Sequence, residues 1–398
     1  MLRRKNSESV INGYSVAMSL SEDVIIVGAG PAGLAAAYHL QGRGVAYSVL
    51  EKGTVGWSWQ HHYESLNLNS HKKLAALPGL AMPREYPIYP SRSEFVAYLQ
   101  TYASRFSLRI RERTNVFRAV HNQSGWRLDT NRGPFHAKAL IMATGVWSNP
   151  FTPEFVGSND FKGCILHSKD YHKASEFVGK KVLIIGSGSS AVDIALDLAR
   201  ERVAVALAVR SGINLVPRTS SAWAVQFTAF FLKKRFTRAL MVPVISLLRP
   251  DFSIWGLPQS PLSRSDPRYH PVVGYEIVEA VREKKVTVYS AVKQFFEHDV
   301  GFEDGNKAAF DVVIFATGYR PTLQLVKEYI SLDSEGYPAL DGCRSAVNPH
   351  LYCVGFSRSV AEVGGWLRTI GAIAAQAANQ ITDDLNQSTQ IDLATCVA

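Results

Sequence analysis

Two short β-branched runs, each leading into a glycine-rich turn and then a helix, constrain this chain more than any other feature. Residues 23–27 lead into Gly28-Ala29-Gly30-Pro31-Ala32-Gly33, after which residues 34–40 read as helix. Residues 181–185 lead into Gly186-Ser187-Gly188-Ser189-Ser190-Ala191, with helix to about Arg200. In such a turn the first glycine permits the bend, the second lets a pyrophosphate approach the backbone, and the third lets the helix pack on its strand. The phosphates then rest on the helix N-terminus, where unpaired N–H groups and the dipole favour an anion. One such turn is often only structural; two, each between strand and helix, predict two dinucleotide-binding folds.

The strand that follows each turn separates their ligands. Residues 47–50 end at Glu51 and Lys52, and an acid about 20 residues past the turn accepts a hydrogen bond from an adenosine ribose. Residues 203–209 end instead in Arg210 and Ser211, which suit the 2′-phosphate that distinguishes NADP from NAD. The first fold therefore reads as an FAD site with Gly28, Gly30, Gly33 and Glu51. The second reads as an NADPH site with Gly186, Gly188, Ser189, Ser190, Ala191, Arg210 and Ser211. Two further apolar strands close in the same tripeptide, one in Ala143-Thr144-Gly145 and one in Ala316-Thr317-Gly318. Small residues let a chain pass close to a bound dinucleotide or between lobes. A last strand, 351–354, runs into Gly355, and an alanine-rich helix over about 364–381 could point its N-terminus at the flavin.

The expected fold class is α/β, with two nested Rossmann-like domains and the FAD domain interrupted by the NADPH domain. The predicted divisions are a tail over 1–21, FAD-binding parts over 22–173 and 303–398, and an NADPH domain over 174–302 with a helical insertion at about 219–270. At 398 residues, with 46% apolar and 19% charged residues, the chain supports more than one core. The net charge of +9 comes from scattered Lys and Arg, so phosphate-bearing cofactors rather than nucleic acid are the expected anionic partners. Residues 222–250 are apolar but broken by Lys233, Lys234, Arg235 and Arg238, too interrupted to span a membrane, and a weak membrane-surface contact is the minor alternative to a cover over the substrate site. The four cysteines, Cys164, Cys343, Cys353 and Cys396, form no CxxC pair, which argues against a disulfide framework, a metal site or a redox dithiol and for a cytoplasmic setting. Monomer and homodimer stay open. Ser91 and Glu94 form a capping box that opens a helix to about Tyr102.

From about residue 22 onward the chain resembles the flavin-containing monooxygenase family. Phe161, Gly163, His167 and Tyr171 match each fixed position of the family fingerprint FxGxxxHxxxY between the two lobes. The segment Tyr63-Glu64-Ser65-Leu66-Asn67-Leu68-Asn69-Ser70 is similar to the family segment that carries an asparagine beside the flavin, which implies that Asn69 is the catalytic residue. An amide suits the role because it donates and accepts without changing charge. Gly56 and Trp59 resemble the family's GGxW turn along the flavin, with Trp57 in place of the second glycine. Tyr171 followed by His172 departs from the Baeyer-Villiger branch, and the short chain is similar to YUCCA-type enzymes and their bacterial relatives, which usually carry His at the position of Asn69. The resemblance implies an NADPH-dependent enzyme that forms a C4a-(hydro)peroxyflavin with O2 and oxygenates a small amine, sulfide or 2-oxo acid. The alternative within the family is oxidative decarboxylation of an arylpyruvate such as indole-3-pyruvate. The alternatives of another class are an NADPH-flavin reductase and a non-catalytic flavin-binding protein, since both need the same glycine turns.

Overall fold

The computed structural model describes residues 20–218, 251–261, 271–356 and 366–397. Its first half contains β1 (Leu20–Val27), α1 (Pro31–Gln41), β2 (Tyr47–Leu50), α2 (Arg92–Arg105), β3 (Ile110–Arg111), β4 (Val116–Asn122), β5 (Gly125–Thr130), β6 (Gly133–Met142), β7 (Cys164–His167), β8 (Lys181–Ile185) and α3 (Ser189–Arg200). Then follow β9 (Ala204–Ala208), β10 (Val286–Tyr289), β11 (Val312–Phe315), β12 (Leu340–Asp341), β13 (Arg344–Ser345), β14 (Leu351–Cys353) and α4 (Trp366–Val397).

The first sheet runs β12-β13-β14-β6-β1-β2-β3, with β5 added to β6 and β4 to β5. At its centre β14, β6, β1, β2 and β3 are parallel, in a register that aligns Val27 with Leu50 and Met142, and Met142 with Cys353. Parallel strands need cover on both faces, and the alternation along β1 supplies it. Val24 and Ile26 point into a core shared with α1 and α4, whereas Ile25 and Val27 point into one shared with Trp126, Leu128 and Phe135 of the β4–β6 meander. The aligned strand ends deliver Gly28, Glu51, Ala143 and the chain toward Gly355 to one edge, the carboxyl edge where open α/β sheets bind ligands.

The second sheet is β10-β9-β8-β11-β7, parallel throughout. It differs from the expected division in one respect. β7 and β11 were assigned to the first lobe by the boundaries at 173 and 303, yet each pairs in the second sheet, β11 against β8 and β7 against β11. An apolar parallel strand carries no mark of which sheet it joins, so the ladder partners decide. The strand already begins at Leu20, inside the expected tail, and the last helix reaches Val397 instead of about 381. The expected cover at 222–250 lies outside the described residues, as does most of the 219–270 insertion. Within 251–261 a single turn of 3-10 helix spans Ser253–Trp255.

The capping box on α2 is formed in both directions: the Glu94 N–H donates to Ser91 Oγ and the Ser91 N–H donates to Glu94 Oε2 at 2.7 Å. The helix it anchors carries Tyr98 and Tyr102, whose hydroxyls each donate at 2.7 Å to carbonyls of Leu80 and Pro78 and so fix the loop between the cavity segments. Ser91→Ala should cost about 1 kcal/mol, read as a lower urea midpoint with an unchanged slope.

Candidate functional site

Each glycine turn is closed from below by a backbone carbonyl. Gly28 has φ +108°, and a Cβ there would lie 2.6 Å from the carbonyl oxygen of Ala143. Gly186, at φ +148°, meets the carbonyl of Ala316 in the same way. The two Ala-Thr-Gly segments are thus the floors under the first glycine of each turn, which explains why they recur. Gly33 is also demanded by the fold, because a Cβ there would collide with the Gly28 carbonyl, and Ala191 fills the corresponding buried place in α3.

The second glycine of each turn behaves differently. Gly30 has φ −81° and Gly188 φ −87°, both open to any residue, and neither has a heavy atom within 4 Å of a built Cβ. Among the described residues nothing requires glycine at these two places. A backbone kept bare in front of open space at a helix N-terminus fits a phosphate group that approaches to van der Waals distance.

In front of the first turn is a cavity of about 310 Å³ lined by Gly28, Gly30, Glu51, Lys52, Trp59, Thr144, Gly145 and Gly355 of the expected residues. Glu51 is buried, and its carboxylate accepts the N–H of Ala29 at 2.7 Å and that of Gly53 at 2.9 Å. It braces the turn while still facing the cavity, and a carboxylate has further lone pairs to accept ribose hydroxyls. Gly56 does not line the cavity. It adopts φ +75° as the cap of the short helix Trp57–Gln60 and donates its N–H to the Ala29 carbonyl at 3.0 Å, bracing the same turn. Trp57, standing where the family pattern has glycine, lines the wall. Trp147, Asn115, Thr322, Leu325 and Ile370 complete that wall, and sequence reading missed them. Trp147, two residues past Gly145, and Ile370, within the helix expected to point at the flavin, had signals nearby.

Trp59 packs edge-on against Trp147 at 5.3 Å and against Phe95 at 4.6 Å. Behind the two tryptophans is His62, whose pKa is pushed down to about 4 by burial, with Arg92 and His61 adding to the effect. This tryptophan side of the wall is therefore apolar, with His62 uncharged near neutral pH, and is suited to excluding water.

The second turn is half-buried, and Arg210 and Ser211 lie exposed at the end of β9. The fingerprint residues hold this region together. His167 is buried and neutral, held below its ordinary pKa chiefly by burial. Its Nδ1 accepts the Lys169 N–H at 3.1 Å, which leaves Nε2 protonated to donate to the Gly318 carbonyl at 3.0 Å. Thr317 hydroxyl donates to the Phe151 carbonyl, fastening the same crossing. Phe161 packs on Phe295, and a Cβ on Gly163 would strike the Phe161 ring. Tyr171 is fully buried and donates to Asp197 Oδ2 at 2.6 Å.

Asn69 is exposed and does not line the large cavity. It lies on a small polar cleft of about 60 Å³ with Ser65, Asn67, Asp193, Arg218 and Glu276, between the Tyr63 loop and α3. Beyond its own loop, its neighbours thus come from the second dinucleotide fold. No described cysteine lines the large cavity.

Residues 25–229 match the family model described as pyridine nucleotide-disulphide oxidoreductase. The chain is 32% identical over 368 residues to indole-3-pyruvate monooxygenase YUCCA4 of Oryza sativa subsp. japonica, covering 84% of this chain and 82% of that protein. It is 31% identical to indole-3-pyruvate monooxygenase YUCCA8 of Oryza sativa subsp. indica over 92% of each. The structure superposes on a flavin-containing monooxygenase from Stenotrophomonas maltophilia with a TM-score of 0.74 at 26% identity, over 92% of this chain and 99% of that one.

The chain belongs to the flavin-containing monooxygenases. As a flavin-dependent monooxygenase it is an oxidoreductase that uses NADPH and O2 on a small organic substrate. Among the described residues of this monooxygenase, no helix is long and apolar enough to cross a membrane.

Proposed function

We propose that this monooxygenase holds FAD in the 310 Å³ cavity and NADPH along the second glycine turn, and that it oxygenates a 2-oxo acid of the arylpyruvate type. The observation that carries the cofactor reading is the pair Gly30 and Gly188, bare backbone facing open space at equivalent places in two turns. The substrate class rests on the relatives, which are indole-3-pyruvate monooxygenases at about a third identity over most of the chain. When bound, FAD supplies the redox chemistry between NADPH and O2. Glu51 and Lys52 would hold the adenosine end, Gly30 and the start of α1 the pyrophosphate, and Thr144, Gly145 and Gly355 the cavity floor. Trp57, Trp59 and Trp147 keep water from it. Gly186, Gly188, Ser189 and Ser190 would cradle the NADPH phosphates, with Arg210 and Ser211 on the 2′-phosphate.

A second reading, oxygenation of an amine or sulfide, is favoured by Asn69 where arylpyruvate enzymes usually carry His. The test is NADPH oxidation and product analysis by the purified yellow protein with indole-3-pyruvate, a tertiary amine and a thioether. Conversion of indole-3-pyruvate to the decarboxylated acid supports the first reading, and an S- or N-oxide supports the second. NADPH consumption that yields only hydrogen peroxide with all three would overturn both.

Arg210→Ala should weaken NADPH while leaving NADH nearly unchanged. A charge-assisted contact to phosphate is worth roughly 1.5 to 3 kcal/mol. Because Arg210 is exposed, the lower end applies, about a ten-fold rise in KM for NADPH. Equal losses for both coenzymes would remove Arg210 from the phosphate site.

A further inference from the structure

Two tyrosines from the connecting segments reach across to α3. Tyr63, 3% exposed, donates to Asp193 Oδ2 at 3.0 Å. Tyr171 donates to Asp197, one helical turn further on and on the same face. Their rings meet edge-on at 6.1 Å. Asp193 lies just past the first turn of α3, which opens at Ser189 and Ser190 of the second glycine turn. The Tyr63 bond therefore ties its loop to the helix that opens at the expected phosphate-binding residues. Six residues after Tyr63 the same loop presents Asn69 on the cleft beside Asp193. Nothing in the expected binding set uses either Tyr63 or Asp193.

We propose that Tyr63 is a positioning residue, which through Asp193 near the start of α3 fixes the Asn69 loop in register with the NADPH phosphate site so that the nicotinamide is presented correctly to the flavin. This rests on the reading of the second turn as the NADPH site. The bond is worth this role because it joins elements that share no sheet: the Tyr63 loop follows the cavity wall, whereas α3 follows β8. A tyrosine hydroxyl donating to a buried carboxylate is among the stronger hydrogen bonds available. Besides Tyr63, Asp193 faces Arg218, Glu276 and Arg200, and burial raises its carboxyl to about 6. The donor bond is thus charge-assisted at neutral pH and weakens as Asp193 takes up a proton below that value.

The experiment is a double-mutant cycle of Tyr63→Phe and Asp193→Asn on the flavin-loaded protein. Three quantities are read: NADP+ affinity by titration, the flavin difference spectrum at NADP+ saturation, and the anaerobic rate of flavin reduction at saturating NADPH. Tyr63→Phe should keep its flavin and its NADP+ affinity within about three-fold, lose most of the difference spectrum, and slow reduction about ten-fold or more. The double variant should be no slower than the slower single one, since the two residues act as a unit. Wild-type reduction should fall below pH 6, and the fall should be absent in Asp193→Asn. A Tyr63→Phe protein with a lower melting temperature but an unchanged spectrum and rate would make the tyrosine merely structural and overturn the proposal. Gly188→Val separates the two readings: if it leaves NADP+ affinity intact, the second turn is not the NADPH site and both fall. If it abolishes affinity while the Tyr63 variant behaves as wild type, only the positioning role is lost.

Discussion

Gly30→Val is expected to give a folded protein without its flavin. The backbone at Gly30 is in an extended conformation that valine adopts, and the space in front of it is open, so the apoprotein has no reason to resist the change. The added methyls would stand where the pyrophosphate must touch backbone. Overpacking costs about 1–3 kcal/mol where neighbours can shift, and a ligand held by fixed N–H groups shifts poorly, so about 3 kcal/mol and over a hundred-fold in affinity is the expected loss. The protein should purify colourless, with a 450 nm to 280 nm absorbance ratio near zero and a melting temperature equal to that of wild-type apoprotein. Gly33→Val is the contrast, since its side chain would strike the Gly28 carbonyl and should prevent folding. Full flavin content in the Gly30 variant would make the first turn a structural feature only.

Asn69→Leu is expected to separate NADPH consumption from product formation. Asn69 lies outside the 310 Å³ cavity and on the cleft shared with α3, so its removal should leave flavin content unchanged. Its amide would contact the nicotinamide end of NADP, held between the two lobes. Losing one preorganised hydrogen bond of this kind costs on the order of 3 kcal/mol, or about two orders of magnitude in the step that depends on it. Electrons from NADPH should then end on hydrogen peroxide, while oxygenated product per NADPH falls about a hundred-fold by the same estimate. An unchanged product yield would take Asn69 out of the mechanism, and loss of flavin would make it a cofactor contact instead.

What the sequence made legible was local. A glycine turn, the strand before it and the acid or arginine after the next strand all fall within a short stretch, and each has a backbone reason to be there. Gly28, Gly33, Glu51 and the Ser91–Glu94 cap are read directly for that cause. The cavity wall was not legible, because Asn115, Thr322 and Leu325 are ordinary residues brought together from remote segments. The membership of β7 and β11 in the second sheet was hidden for a related reason, since short, mainly apolar strands read alike beside any parallel neighbour. His167 was recognisable as a fingerprint residue, but its work, holding the Gly318 carbonyl across 151 residues of sequence, is a property of the fold.

The position of β14 and α4 has a consequence for how the protein comes into being. β14 pairs with the end of β6, and Gly355, Leu367 and Ile370 form part of the cavity wall. Strands of the second sheet all lie between residues 164 and 315, so this region can emerge from the ribosome and close its ladders while the first sheet still lacks three strands and a helix. Pairing over such a separation is slow and leaves apolar edges bare in the meantime. The nascent chain must therefore wait, with its first glycine turn made and its cavity open on one side, until β14 and the start of α4 have been translated; a message cut short near residue 340 would yield the second-sheet lobe attached to a half whose cavity wall lacks Gly355, Leu367 and Ile370.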